Sequence, residues 1–130
     1  MITHVRYRDR FVHRVLPVLA VSVALGAGVA AAAAKPIPLA GSVGPGFVIM
    51  LKTASGKPVK TLKAGTYAIT VNDQAAIHMF HLIGPGVNKV ITDIGFQGKK
   101  TLVVKLKAGK YIYQCDPHKS DMKSSVLVTP

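Results

Sequence analysis

The chain has 130 residues, room for one small domain, and its 17 lysines and arginines against five acids give a formal charge of +12 at neutral pH. Such an excess excludes basic partners and favours anionic ones: an acidic protein, a lipid headgroup or a polyanion. It does not make a nucleic-acid reader, because no helix-turn-helix or RNA-binding signature accompanies it and no arginine follows Arg14.

Residues 1–14 hold all four arginines, Arg6, Arg8, Arg10 and Arg14, and an apolar run follows from Val15 to Ala34. A basic start, an apolar middle and a small-residue exit describe a secretory signal peptide over residues 1–34, with Ala32-Ala33-Ala34 as the cleavage site. The alternative is an uncleaved membrane anchor, since about 20 apolar residues can span a bilayer. Either way the rest of the chain is exported, to the periplasm or another extracytoplasmic space. Residues 35–46, rich in proline and glycine, read as a linker ahead of a domain over 47–130. From Lys35 onward stand thirteen lysines, no arginine, no glutamate and four aspartates, a formal charge of +9.

Within 47–130 short β-prone runs alternate with glycine turns. They cover Phe47–Leu51, Thr66–Val71, Ile77–Ile83, Val90–Ile94, Thr101–Leu106, Tyr111–Cys115 and Ser124–Thr129. Seven runs at this spacing predict an all-β, antiparallel β-sandwich, and no stretch after Ala34 has helical periodicity. Leu62-Lys63-Ala64-Gly65-Thr66-Tyr67 recurs as Leu106-Lys107-Ala108-Gly109-Lys110-Tyr111, which predicts one strand–turn–strand device used twice.

The last third carries the chemistry. Tyr111, Tyr113 and Cys115 share one face of their strand, so the thiol points into the sandwich beside two rings. Pro117 cannot continue a ladder, so the strand stops at Cys115 and a tight loop begins. That loop offers the imidazole of His118 and then the thioether of Met122. Cys115 is the single cysteine, so it forms no disulfide within the chain, and metal binding gives its thiolate a use in an oxidising compartment. Thiolate, imidazole and thioether from one loop suit copper, and two histidines, one cysteine and a distant methionine make the blue-copper electron-transfer arrangement. Zinc suits this set less, since its structural sites are built from cysteine and histidine alone. The second histidine must come from elsewhere. Ile77-His78-Met79-Phe80-His81-Leu82 offers two, and on a regular strand they face opposite sides, so only one can serve.

At this point the sequence resembles a family. The strand Gly109-x-Tyr111-x-Tyr113-x-Cys115 with the loop Cys115-x-x-His118-x-x-x-Met122 is similar to the metal loop of the small cupredoxins, plastocyanin, pseudoazurin and amicyanin. His78, followed by Gly84-Pro85-Gly86, resembles the region of their first histidine ligand, which favours His78 over His81. The resemblance covers about Phe47 to Thr129. It implies a Greek-key sandwich of eight strands, one type 1 copper ion held by His78, Cys115, His118 and Met122, and a monomer that shuttles single electrons between redox proteins rather than an enzyme. The spacing from His118 to Met122 falls between the amicyanin and plastocyanin patterns. Met79 stands where the family usually has an asparagine that ties the two ligand segments together, which implies a looser site. In the family the loop histidine marks where electrons leave. Asp116 and Asp121 balance Lys119 and Lys123 in the loop, so an acidic redox partner would be steered by lysines elsewhere, such as Lys99, Lys100, Lys105, Lys107 and Lys110.

Other chemistry lacks its residues. No His-x-His pair is present for a multicopper oxidase, and no hydrolytic triad or phosphate-binding glycine loop occurs. His4 and His13 fall in the leader, and Met50 and Met79 read as packing residues. A copper-delivery protein without a redox partner is the competing function, and an Ig-like adhesion module with incidental His and Cys the third.

Overall fold

A computed structural model describes residue 26 and residues 28–130, so most of the stretch read as a signal peptide or anchor lies outside the described residues. Among the described residues, no helix is long and apolar enough to cross a membrane. The unit Ala33–Pro130 contains all the strands discussed below.

Alternation of apolar and polar side chains decides which face of each segment is buried. Strand β4 (Gly65–Asp73) shows it plainly: Tyr67, Ile69, Val71 and Asp73 turn inward, while Thr66, Ala68, Thr70 and Asn72 stay partly or fully exposed. The other strands are β1 (Ile37–Val43), β2 (Ile49–Thr53), β3 (Thr61–Lys63), β5 (Phe80–Gly84), β6 (Val87–Thr92), β7 (Gly98–Leu106), β8 (Gly109–Gln114) and β9 (Lys123–Thr129). They form a four-stranded sheet in the order β2-β1-β4-β7 and a five-stranded sheet in the order β3-β9-β8-β5-β6. The all-β sandwich is as expected, but two pairings, β1 with β4 and β3 with β9, are parallel. Between the sheets lie Tyr67, Ile69, Val71, Leu82, Tyr111, Tyr113, Val126 and Val128, with the rings of Phe80 and Tyr113 stacked at 5.5 Å.

Two strands escaped the sequence reading. Residues 35–46 are not a linker: Ile37–Val43 is β1, held inside its sheet between β2 and β4. Pro36 and Pro38 stand only before and near its start, where a missing N–H is tolerated. Its inward residues are Leu39, Gly41 and Val43, and the glycine hid the alternation. A Cβ at Gly41 would lie 2.8 Å from Val71 and 3.2 Å from Phe80, so only glycine lets β1 pack here. Strand β3 has three residues, too few for a period to show.

The strands give the sandwich two ends. The loops 44–48, 74–79, 93–97 and 115–122 gather at one, here the upper end, and the turns around 64, 85–86 and 107–108 close the lower one. The duplicated Leu-Lys-Ala-Gly-x-Tyr device sits at the lower end in both copies. Tyr67 donates its hydroxyl to the Lys63 carbonyl at 2.7 Å. Tyr111 accepts from the Lys107 amide at 3.0 Å and donates to the Pro85 carbonyl at 3.1 Å.

Candidate metal centre

Strand β8 ends at Gln114 and delivers Cys115, fully buried, to the upper end. Asp116–His118 then forms a single 3-10 turn with Pro117 in it, and the His118 amide bonds the Cys115 carbonyl at 3.0 Å. The Asp121 and Met122 amides both return to the His118 carbonyl, at 3.0 and 2.8 Å, and the Cys115 amide donates to the Met122 carbonyl at 2.9 Å. The loop therefore closes on its own backbone. Met122 ends it with no exposed surface.

His78 arrives differently from the expectation. The run Ile77–Ile83 is shortened to β5 from Phe80, and His78 lies in the preceding loop, where its amide bonds the Ala75 carbonyl at 3.0 Å. Loop geometry, not strand alternation, separates His78 from His81. His78 is completely buried, and its Nδ1 lies 3.2 Å from Nδ1 of His118 and 3.9 Å from Sγ of Cys115. Sγ of Cys115 is 3.5 Å from Nδ1 of His118. All three donor atoms fall within 4.8 Å of one another.

These separations are those of ligands around one ion. Nitrogens about 2.0–2.1 Å from a common metal stand roughly 3.1–3.6 Å apart at open angles, and a sulfur at about 2.3 Å somewhat farther. Three Lewis bases turned on each other in a buried space is otherwise an expensive arrangement. With Met122 buried at the end of the same loop, the donor set has the composition of a type 1 copper site.

His81 takes another role. From β5 its Nδ1 pairs with the Asp116 carboxylate at 2.9 Å, and its Nε2 meets Oδ1 of Asn88 on β6. The Gln114 amide donates to the same carboxylate at 2.7 Å. Burial alone would raise the Asp116 carboxyl, but hydrogen bonds from Gln114 and His81, with the charges of His81 and Lys119, hold it below its ordinary value. Met79 makes no asparagine-type tie, yet the ligand segments are joined: the pair His81–Asp116 links β5 to the residue after Cys115.

Sequence reading missed Gly44, Phe47 and Gln74. Gly44 has a φ of +76°, and a Cβ there would come within 3.0 Å of the His78 ring. Gln74 donates to the Gly44 carbonyl at 2.9 Å and so ties two upper loops together. The ring of Phe47 stands edge-on to His78 at 5.6 Å and to His118 at 4.9 Å while remaining 58% exposed. The only signal was the Gly44-Pro45-Gly46 turn, which looked like the end of a linker, while Phe47 looked like the first residue of a strand. Val48, Ile77 and Ile94 are exposed apolar residues of the same end, and His118 is half-buried there.

No protein-family model matches the sequence, and no curated protein matches it. Solved structures do. Rusticyanin from Thiobacillus ferrooxidans aligns at 20% identity over 75% of this chain and 79% of its own, with a TM-score of 0.51. Reduced rusticyanin aligns at 21% identity over 75% and 82%, with a TM-score of 0.52. A leucine variant of rusticyanin reaches 0.54 at 19% identity, over 75% and 79%. This chain therefore has a cupredoxin-like fold, that of the copper protein rusticyanin.

Proposed function

We propose that the chain is an exported type 1 copper protein that carries single electrons between redox partners. His78, Cys115 and His118 would hold the ion, with the buried thioether of Met122 as a further, weaker donor. Copper supplies the one-electron couple; the protein supplies a fixed, dry cage. The observation that carries this reading is the buried convergence of two imidazole nitrogens and one thiol within 4.8 Å. The loop closed on its own backbone would hold Cys115, His118 and Met122 in fixed positions around the ion. Half-buried His118, beneath the exposed edge of Phe47, would be the ligand nearest to a docked partner.

The partner meets a face that is apolar and nearly neutral. Of the lysines expected to steer it, Lys99 and Lys100 open β7 near the site, but Lys105, Lys107 and Lys110 lie at the lower end. An acidic redox protein is still attracted by the net charge, yet contact around His118 is governed by the apolar residues. The domain acts as a monomer.

The test is the visible spectrum of Cu(II)-loaded residues 35–130. An intense thiolate-to-copper band is expected, bleached by reductant and restored by oxidant, and lost in Cys115→Ala. A colourless complex overturns the reading; a band that cannot be cycled supports copper delivery instead.

A further inference from the structure

We infer that the lower end of the sandwich, opposite the metal centre, docks on anionic lipid headgroups. The first observation is how charge is divided. All four aspartates after Lys35 lie at the upper end: Asp73 closes β4, Asp93 follows β6, and Asp116 and Asp121 belong to the loop. Lys99, Lys100, Lys119 and Lys123 offset them there. The lower end has Lys35, Lys57, Lys63, Lys105, Lys107 and Lys110, all exposed, and no acid. The +9 of the domain is thus concentrated away from the site.

The second observation is what lies among those lysines. An apolar hollow of about 410 Å³ opens at this end, lined by Ile37, Pro38, Leu39, Leu62 and Tyr67 together with residues 53–55, and Ile37 is 51% exposed. Apolar surface and exposed lysines at one end of a domain are the composition of a membrane-interfacial face. The third is where the chain enters. β1 begins at Ile37, opposite Tyr67 near the lower end of β4, so the exposed Lys35 two residues before it enters at this same end.

Lysine rather than arginine fits this ligand. Ammonium groups are point charges without the planar fork that selects a single phosphate or carboxylate, and here they stand on separate turns instead of around one cleft. They suit a diffuse layer of headgroups, each lysine near the surface strengthening binding roughly fivefold. Docked in this way, the domain turns His118 towards the aqueous phase.

The experiment is co-sedimentation of residues 35–130, which hold all nine strands and the whole core, with lipid vesicles. Leaving out the leader prevents its insertion from masking the result. The domain is expected to bind phosphatidylcholine vesicles containing phosphatidylglycerol, to ignore pure phosphatidylcholine, and to be released by salt. Lys105→Gln/Lys107→Gln/Lys110→Gln should weaken binding on the order of a hundredfold. Lys99→Gln/Lys100→Gln/Lys119→Gln should change it by less than about threefold, because those side chains face away from the bilayer. Equal losses in the two triple variants would show that net charge alone acts and overturn the surface. Binding to heparin without binding to vesicles would assign the lysines to a soluble polyanion and overturn it too. All these side chains are exposed, so circular dichroism should report an unchanged fold in each variant. The assay needs no copper, and its failure leaves the proposed electron carrier standing.

Discussion

The two ends of this sandwich are built from the same strands and solve opposite problems. The upper end gathers long loops around donor atoms that have few partners but each other. The lower end is closed by short turns whose tyrosine hydroxyls and glycines are fully used in holding strands together. The lesson is a division of labour: reactive groups are kept where strand pairing has already ended, and stability is secured where no chemistry occurs. Changes at one end should therefore be felt in the spectrum, and changes at the other in the melting curve.

The sharpest break of that comparison is at the histidines. His78→Ala removes a buried ligand and is expected to abolish the copper–thiolate band, with the sandwich still folded. His81→Ala, three residues on, is expected to leave the band nearly intact. Absorption of the copper-loaded variants decides between them, and the reverse outcome would move the ligand to His81. Next in size is the lower end. A Cβ at Gly84 would come within 2.1 Å of the Tyr111 ring, so Gly84→Ala should destabilise the domain by about 1–3 kcal/mol while the band of the folded protein is unchanged. Chemical denaturation of the metal-free protein measures this. The smallest effect separates the two copies of the tyrosine device. Tyr111→Phe removes two hydrogen bonds and Tyr67→Phe one, so losses of about 2 and about 1 kcal/mol are expected. Equal losses would mean that Tyr111 draws nothing from its second partner.

The sequence made the lower end and the metal loop legible for different reasons. The loop was readable because Cys115, His118 and Met122 stand close together in the chain, so spacing is geometry. β4, β7 and β8 were readable because their inward residues are large and alternate without interruption. β1 was not, because its central inward residue is Gly41, whose meaning lies in the Val71 and Phe80 side chains it makes room for. The cover over the site was hidden for a similar reason. Phe47 looks like the opening residue of a strand, and only the tertiary fold brings its ring to His118, 71 positions later. The pairing of His81 with Asp116 spans 35 positions and has no local trace either. Residue type told what could bind; contacts distant in the chain told what holds it still.

The place of β1 has a consequence in time. Its long partner is β4, with Ile37 matched to Tyr67 and Val43 to Asp73, so the first strand waits for a stretch thirty residues downstream before it is paired on both sides. β8 waits likewise for β9, the last strand of the chain. A nascent chain emerging N-terminus first would thus expose β1 early and complete the second sheet last. The segments of His78 and Cys115 are brought together by a pairing between these two events in chain order, that of β5 with β8.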